Sequence, residues 1–268
     1  MQLIEKAWSP ILNRHQEDPP DWLRFQEKVL RPGETPSIGK FFENWTPAPD
    51  NLPCGRDLHI QAQRARDDSS AGLDGWRAAE LRALPLAAWE VRAEVLTLAI
   101  EVRQWPSPYR DVPTPSIPKK EDSIKPLDQR LLTIFSGIYR VEVGAWYRIL
   151  APWFFQHLHP SVHGGIPGHE HLEVSWDAQA DLETALLKCL PLSVCSVDYF
   201  KYFDSFGHKW VHGFLNFLGF PAALTDMTLD LYENLMRSIK FGTVYGKPAH
   251  YFNGCGQGDL CRSSPPSP

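Results

Sequence analysis

The chain has 268 residues, 43% hydrophobic and 22% charged, the make-up of a globular protein able to bury a sizeable core. Its formal net charge of −5 excludes the strong overall positive field with which a chain grips nucleic acid unaided, so any basic surface must be local. No apolar run approaches the roughly 20 residues of a membrane span, MQLIEKAWSP carries no hydrophobic leader core, and five cysteines without C-x-x-C spacing point to a reduced, intracellular compartment rather than a disulfide scaffold or a four-cysteine zinc site.

Residues 1–54 read as a proline-rich N-terminal extension of short helical pieces, either lying on the main domain or poorly ordered. Trp22, Phe25 and Val29 fall at helical spacing ahead of Pro32 and Gly33, and Phe41, Phe42 and Trp45 make a second piece stopped by Pro47 and Pro49. A polar helix is expected over 55–66, broken by the turn-rich stretch 67–76, where Gly72 and Gly75 bracket Asp74. The next helix, 86–102, places Val91, Val95, Leu98 and Val102 on one face. The prolines of WPSPYRDVPTPSIPKK predict an extended segment, because each biases its predecessor away from the helix. Residues 131–150 read as a long helix with Ile134, Ile138, Val141, Ala145 and Ile149 in line, weakened at Gly144 and closed by Pro152. A glycine-rich loop, 157–171, leads to a helix over 176–188. Beyond it, 208–218 and 222–238 form a helical pair hinged at Gly219, Phe220 and Pro221, with Leu224, Met227, Leu231 and Leu235 as the apolar face of the second. Residues 239–245 and 249–252 suggest a hairpin about Gly246.

The stretch LSVCSVDYFKYFDSF, 192–206, organises the rest. Leu192, Val194 and Val197 predict a buried strand over 192–198 that delivers Asp198 at its C-terminal end, as an α/β core presents a metal ligand. Asp204 either joins Asp198 in ion binding or acid–base work, or caps the helix near His208 or pairs with Lys201 or Lys209. The two carboxylates also admit a hydrolase with a closed pocket and a positioned water. His157, His159, His163, His169 and His171 crowd one loop without H-E-x-x-H spacing, and zinc ranks below the Asp198 chemistry.

The block DYFKYFD, 198–204, resembles the D-x-x-K-x-F-D block of reverse transcriptases, especially those of non-LTR retrotransposons and group II introns. SAGLDGW, 70–76, is similar to the family's S-x-G-x-D-G element, and IPKKEDSIKPLDQR, 117–130, to its I-P-K…R block. GGIPGH, 164–169, resembles the loop that usually reads Q-x-G-F…G-R, with His169 where Arg is common. GCGQGDLCR, 254–262, resembles the G-x-x-Q-G-x-P-L-S block, with Leu260 and Cys261 displacing Pro-Leu. The blocks stand in the family's order from about residue 55 onward.

The resemblance implies that 55–268 is an α+β fragment, the fingers and partial palm of a right-hand polymerase, acting with an RNA template, a DNA primer, dNTPs and two Mg²⁺ ions. It implies that Asp198 is a catalytic, metal-binding carboxylate and that Phe203 packs under the incoming sugar. Lys119, Lys120 and Arg130 then approach the triphosphate, and Gln257 and Gly258 turn near the template base. The family's aromatic-x-Asp-Asp hairpin and its thumb are missing, so the expectation is a polymerase fragment inactive alone with weak nucleic-acid binding. The alternative is a catalytically inactive remnant or RNA-associated module.

Overall fold

A strand carrying three prolines stands inside the sheet, and their spacing explains how. The computed structural model describes residues 2–29, 42, 44–119, 123–166 and 168–256. In it β1 (Asp111–Pro118) runs parallel to β3 (Met236–Phe241) and antiparallel to β2 (Gln129–Leu131). Proline has no N–H to give a ladder. Pro113 and Pro115 fall on alternate residues, and their carbonyls accept from the amides of Ile134 and Leu132, each at 3.0 Å. Val112 and Thr114, the residues that alternate with them, are left to face β3. The prolines thus occupy the side that asks only for acceptors.

β4 (Val244–Tyr245) and β5 (Ala249–His250) both return antiparallel along β3, which completes a five-stranded mixed sheet. The turn comes at Gly242 (φ 59°) rather than about Gly246. Gly246 lies in the returning chain and donates its amide to the Ile239 carbonyl at 2.8 Å.

Two apolar clusters pack the helices around this sheet. The larger joins α3 (Gly55–Gln63), α5 (Leu86–Glu101), α6 (Gly137–His157) and α9 (Ala222–Glu233) through Leu58, Trp89, Leu96, Tyr139, Trp146, Met227 and Leu231. The smaller seats α1 (Gln2–Leu12) by Ile4, Trp8 and Leu12 on Leu131, Ile239 and Tyr251. Each large side chain buried this way contributes about 1.5–3 kcal/mol, enough to hold α1 against the sheet. Of the two readings of the extension, α1 takes the packed one. Helices α2 (Trp22–Val29), α4 (Ala78–Ala83), α7 (His171–Leu187) and α8 (His208–Phe217) complete the set among the described residues. No helix among the described residues is long and apolar enough to cross a membrane.

Several expectations are corrected. α5 lies where expected but turns its other face inward. Trp89, Leu96, Ala99 and Ile100 are buried, whereas Val91, Leu98 and Val102 are 61%, 61% and 66% exposed. The helix is apolar on two sides, and the side with the larger Trp89 wins the core.

The helix expected over 131–150 is displaced toward the C-terminus. Leu131 ends β2, and Ser136 caps α6 with its Oγ accepting from the Tyr139 amide at 3.3 Å. The helix then runs through Pro152 to His157. Pro152 forfeits one backbone bond, but Trp153 beside it donates Nε1 to the Thr46 carbonyl at 2.8 Å and meets Phe220 edge-on at 5.0 Å.

α7 starts at His171, ahead of the expected 176, and α9 stops at Glu233 because β3 begins at Met236. Met227, Leu231 and Leu235 are buried as their spacing predicts.

The buried strand expected over 192–198 does not form. The stretch is exposed, Val194 at 80% and Val197 at 66%. Among the described residues no strand pairs with it, and an apolar alternation that finds no partner forms no ladder.

Candidate functional site

Phe135 is fully buried between β2 and α6, and two distant glycines close on it. A Cβ on Gly72 would stand 2.6 Å from the Phe135 carbonyl, and one on Gly256 would stand 2.8 Å from the Phe135 ring. Neither position takes a larger residue without moving its neighbours. Asp74 accepts from Ser136 Oγ at 2.7 Å and from the Ile138 amide at 3.3 Å, a carboxylate at the N-terminus of α6. Arg140 donates to the Ser70 carbonyl at 2.7 Å. Segment 70–76 is thereby bound to the start of α6.

The 254–256 segment runs against 203–208. The Cys255 amide donates to the Phe203 carbonyl and the Gly254 amide to the Phe206 carbonyl, both at 2.9 Å. The Gly254 carbonyl in turn accepts from the Arg237 guanidinium at 2.7 Å and from His208 Nε2 at 3.2 Å. Gly254 sits at φ 95°, a conformation that favours glycine.

Burial pulls the Arg237 guanidinium below its ordinary value, opposed by nearby Tyr232 and Asp204. Burial first, then the Arg237 charge, push His208 down to about 4, so its imidazole is neutral at pH 7. It stacks on Tyr232 at 5.1 Å. Asp204 is buried in the 3-10 turn Tyr202–Ser205, inside the fold rather than at a solvent-facing site.

Lys201 joins the 198–204 block to the β1–β2 hairpin. Its Nζ donates to the Gln129 carbonyl at 3.1 Å and stands 3.8 Å from the centre of the Trp8 ring. Burial first, then the like charge of Lys119, lower it to about 8, with Asp204 and Asp128 opposing. Lys119 is exposed, its amide donating to the Asp128 carbonyl at 2.8 Å, and Arg130 lies exposed on β2 opposite Ile117. The contact between the two blocks therefore runs through Lys201.

Asp198 stands on the exposed stretch, outside any strand, and Phe203 is half-buried with its ring 5.4 Å from that of Tyr202. Lys120, Gln257 and Gly258 lie outside the described residues.

A cleft of about 470 Å³ opens beside this junction, lined by His15, His208, Trp210, His250 and Phe252 among others, but not by Asp198, Lys119, Arg130 or Phe203. Among the described residues, the one group of three or more metal-ligating side chains is His163, His169 and Glu173, and Asp198 is not part of it.

Sequence reasoning missed Arg237. Its signal was alternation: Arg237 shares a strand face with Ile239, a core position on β3. No protein-family model matches the chain, and no curated protein matches it.

Proposed function

We propose that residues 55–268 are the fingers and part of the palm of an RNA-directed DNA polymerase of the non-LTR retrotransposon and group II intron type. In its intact form it transfers deoxynucleotides from dNTPs to a DNA primer on an RNA template. One observation carries the reading: blocks that are remote in sequence converge. Gly72 and Gly256 close on Phe135, Phe203 bonds Cys255, and Lys201 bonds Gln129. On this reading Asp198 is a metal carboxylate, Lys119, Lys120 and Arg130 offset triphosphate charge, and Phe203, Gln257 and Gly258 border the nucleotide.

Two-metal phosphoryl transfer needs further carboxylates, and the 268 residues contain no aromatic-x-Asp-Asp block. They therefore extend no primer by themselves. The test is primer extension on RNA with Mg²⁺ and dNTPs by a longer chain that carries such a block, beside its Asp198→Ala variant. Extension abolished by the substitution is expected. Extension by both, or by neither, overturns the assignment of Asp198.

An RNA-associated module without chemistry is the second reading. It is favoured by the exposed setting of Asp198, outside any strand among the described residues, since a ligand on such a stretch is not preorganised. It predicts salt-sensitive RNA binding with no extension by any chain length.

A further inference from the structure

The crowded histidines lack the helical spacing of a zinc motif, but the fold gathers two of them with a carboxylate. We propose that His163, His169 and Glu173 bind a transition-metal ion of the zinc class, with Asp177 orienting His163. His163 Nδ1 and His169 Nδ1 are 3.3 Å apart, and they stand 2.9 and 2.8 Å from Glu173 Oε2. A tetrahedral ion with bonds of about 2.0–2.1 Å holds its ligand atoms about 3.3 Å from one another. The nitrogen–nitrogen edge already has that length, and the two shorter edges to Glu173 open slightly as the ion enters.

The chain makes this triangle by doubling back. Glu173 lies in the first turn of α7, and His169 precedes it at i,i+4. His163 returns to them from across a loop in which Gly165 and Gly168 take φ of 78° and 83°. The donor chemistry suits the ion, since imidazole and carboxylate together are zinc-type ligands. Two ring nitrogens and one carboxylate oxygen lie within 3.3 Å of one another, and one cation among them would engage all three.

The far side of His163 carries a second argument. Its Nε2 faces Asp177 Oδ2 at 3.5 Å, one helical turn beyond Glu173. A ligating histidine usually gives its other N–H to a carboxylate, which fixes the tautomer and strengthens the ligand. The His163 side chain is only 11% exposed, whereas His169 and Glu173 are 39% and 42% exposed. The site is anchored on its inner side and open to solvent at its mouth, leaving the fourth position to water. None of this depends on the polymerase reading.

The test adds Co²⁺, then Zn²⁺, to the full chain stripped of metal by chelation. Stoichiometric Co²⁺ should give the visible bands of tetrahedral cobalt with nitrogen and oxygen ligands, and Zn²⁺ should displace it. The His163→Ala/His169→Ala pair should abolish the bands. Glu173→Gln, which keeps side-chain size, should weaken binding with helix content unchanged by circular dichroism. Asp177→Asn should retain the bands and weaken Zn²⁺ affinity about 10–100-fold. Bands that persist in the double-histidine variant would overturn the site. So would sulfur-to-cobalt charge transfer, or no saturable binding by the natural chain. Unchanged affinity in Asp177→Asn would remove Asp177 from it.

Discussion

Arg237 donates to the carbonyl of Gly254 at 2.7 Å, so a buried charge on β3 holds the start of the glycine-rich segment. Arg237 is only 4% exposed, with Asp204 as a nearby anion. Its removal takes the charged donor from the Gly254 carbonyl, leaving that carbonyl to His208 Nε2, and takes a cation from beside the buried Asp204. Arg237→Ala should therefore cost about 3–5 kcal/mol, the range for breaking a buried charge arrangement. Urea titration followed by tryptophan fluorescence reads this directly. A midpoint within error of the natural chain would mean that water reaches the site and replaces the guanidinium.

His208 makes stability pH-dependent, and the sign follows from its shift. The folded imidazole sits at about 4 against an ordinary 6.5. Between those values the unfolded chain takes up a proton that the folded chain refuses, so stability falls as pH drops from 6.5 toward 4. The full effect is up to about 3 kcal/mol. His208→Gln keeps a donor for Gly254 without a titrating ring and should flatten the melting-temperature profile across that window. An unchanged acid limb would assign the loss to other groups.

Arg92, Tyr109 and Glu142 close a triangle between α5, the turn before β1, and α6. Arg92 donates to Glu142 and to the Tyr109 hydroxyl, both at 2.6 Å, and Tyr109 donates to Glu142 at 2.8 Å. Burial raises the Glu142 carboxyl, opposed by Arg92 and Tyr109. Tyr109→Phe should cost about 1–3 kcal/mol by leaving a buried carboxylate oxygen one donor short. With its folded pKa raised, Glu142 contributes stability at low pH that is lost as pH climbs through the folded value. Losing the tyrosine donor raises that value further, so the cost of Tyr109→Phe should shrink toward acid pH. Calorimetry at several pH values measures it, and a pH-independent cost would show that Glu142 keeps its charge throughout.

The sequence was legible where punctuation or one-sided periodicity decided the structure. Gly219 and Pro221 marked the break between α8 and α9, and Met227, Leu231 and Leu235 named the buried face. It misled where the deciding partner was remote. The apolar alternation of 192–198 looked like a strand, but a strand needs a neighbour, and nothing in the alternation names one. α5 offered two apolar faces, and only packing chose between them. Proline in β1 read correctly as extended chain, yet its pairing depended on which carbonyls Ile134 and Leu132 would find. The histidine–glutamate triangle had no motif spacing because a glycine-bent loop, not a helix, assembles it. The convergence on Phe135 was likewise invisible, since no local pattern says which glycine meets which ring.

Lys201 offers a direct reading of how the 117–130 and 198–204 blocks meet. Its amine is lowered to about 8 from 10.5, by burial first and by Lys119 second. An acylating reagent attacks only the neutral amine, so limiting reagent near pH 8 should label Lys201 well ahead of ordinary lysines, as peptide mass spectrometry would show. The labelling rate plotted against pH should have its midpoint near 8. Lys119 is exposed, so Lys119→Gln removes a charge with little effect on packing. It also removes the repulsion that disfavours the Lys201 cation. The midpoint for Lys201 should then rise toward the ordinary lysine value while melting temperature holds. Asp128→Asn works in the opposite direction: it deletes a charge that favours the cation, and the midpoint should fall. Two shifts of opposite sign at one amine, from two residues of the hairpin, would require that hairpin to face the 198–204 block. A midpoint indifferent to both substitutions would separate the two blocks and remove the main structural support for a shared nucleotide site.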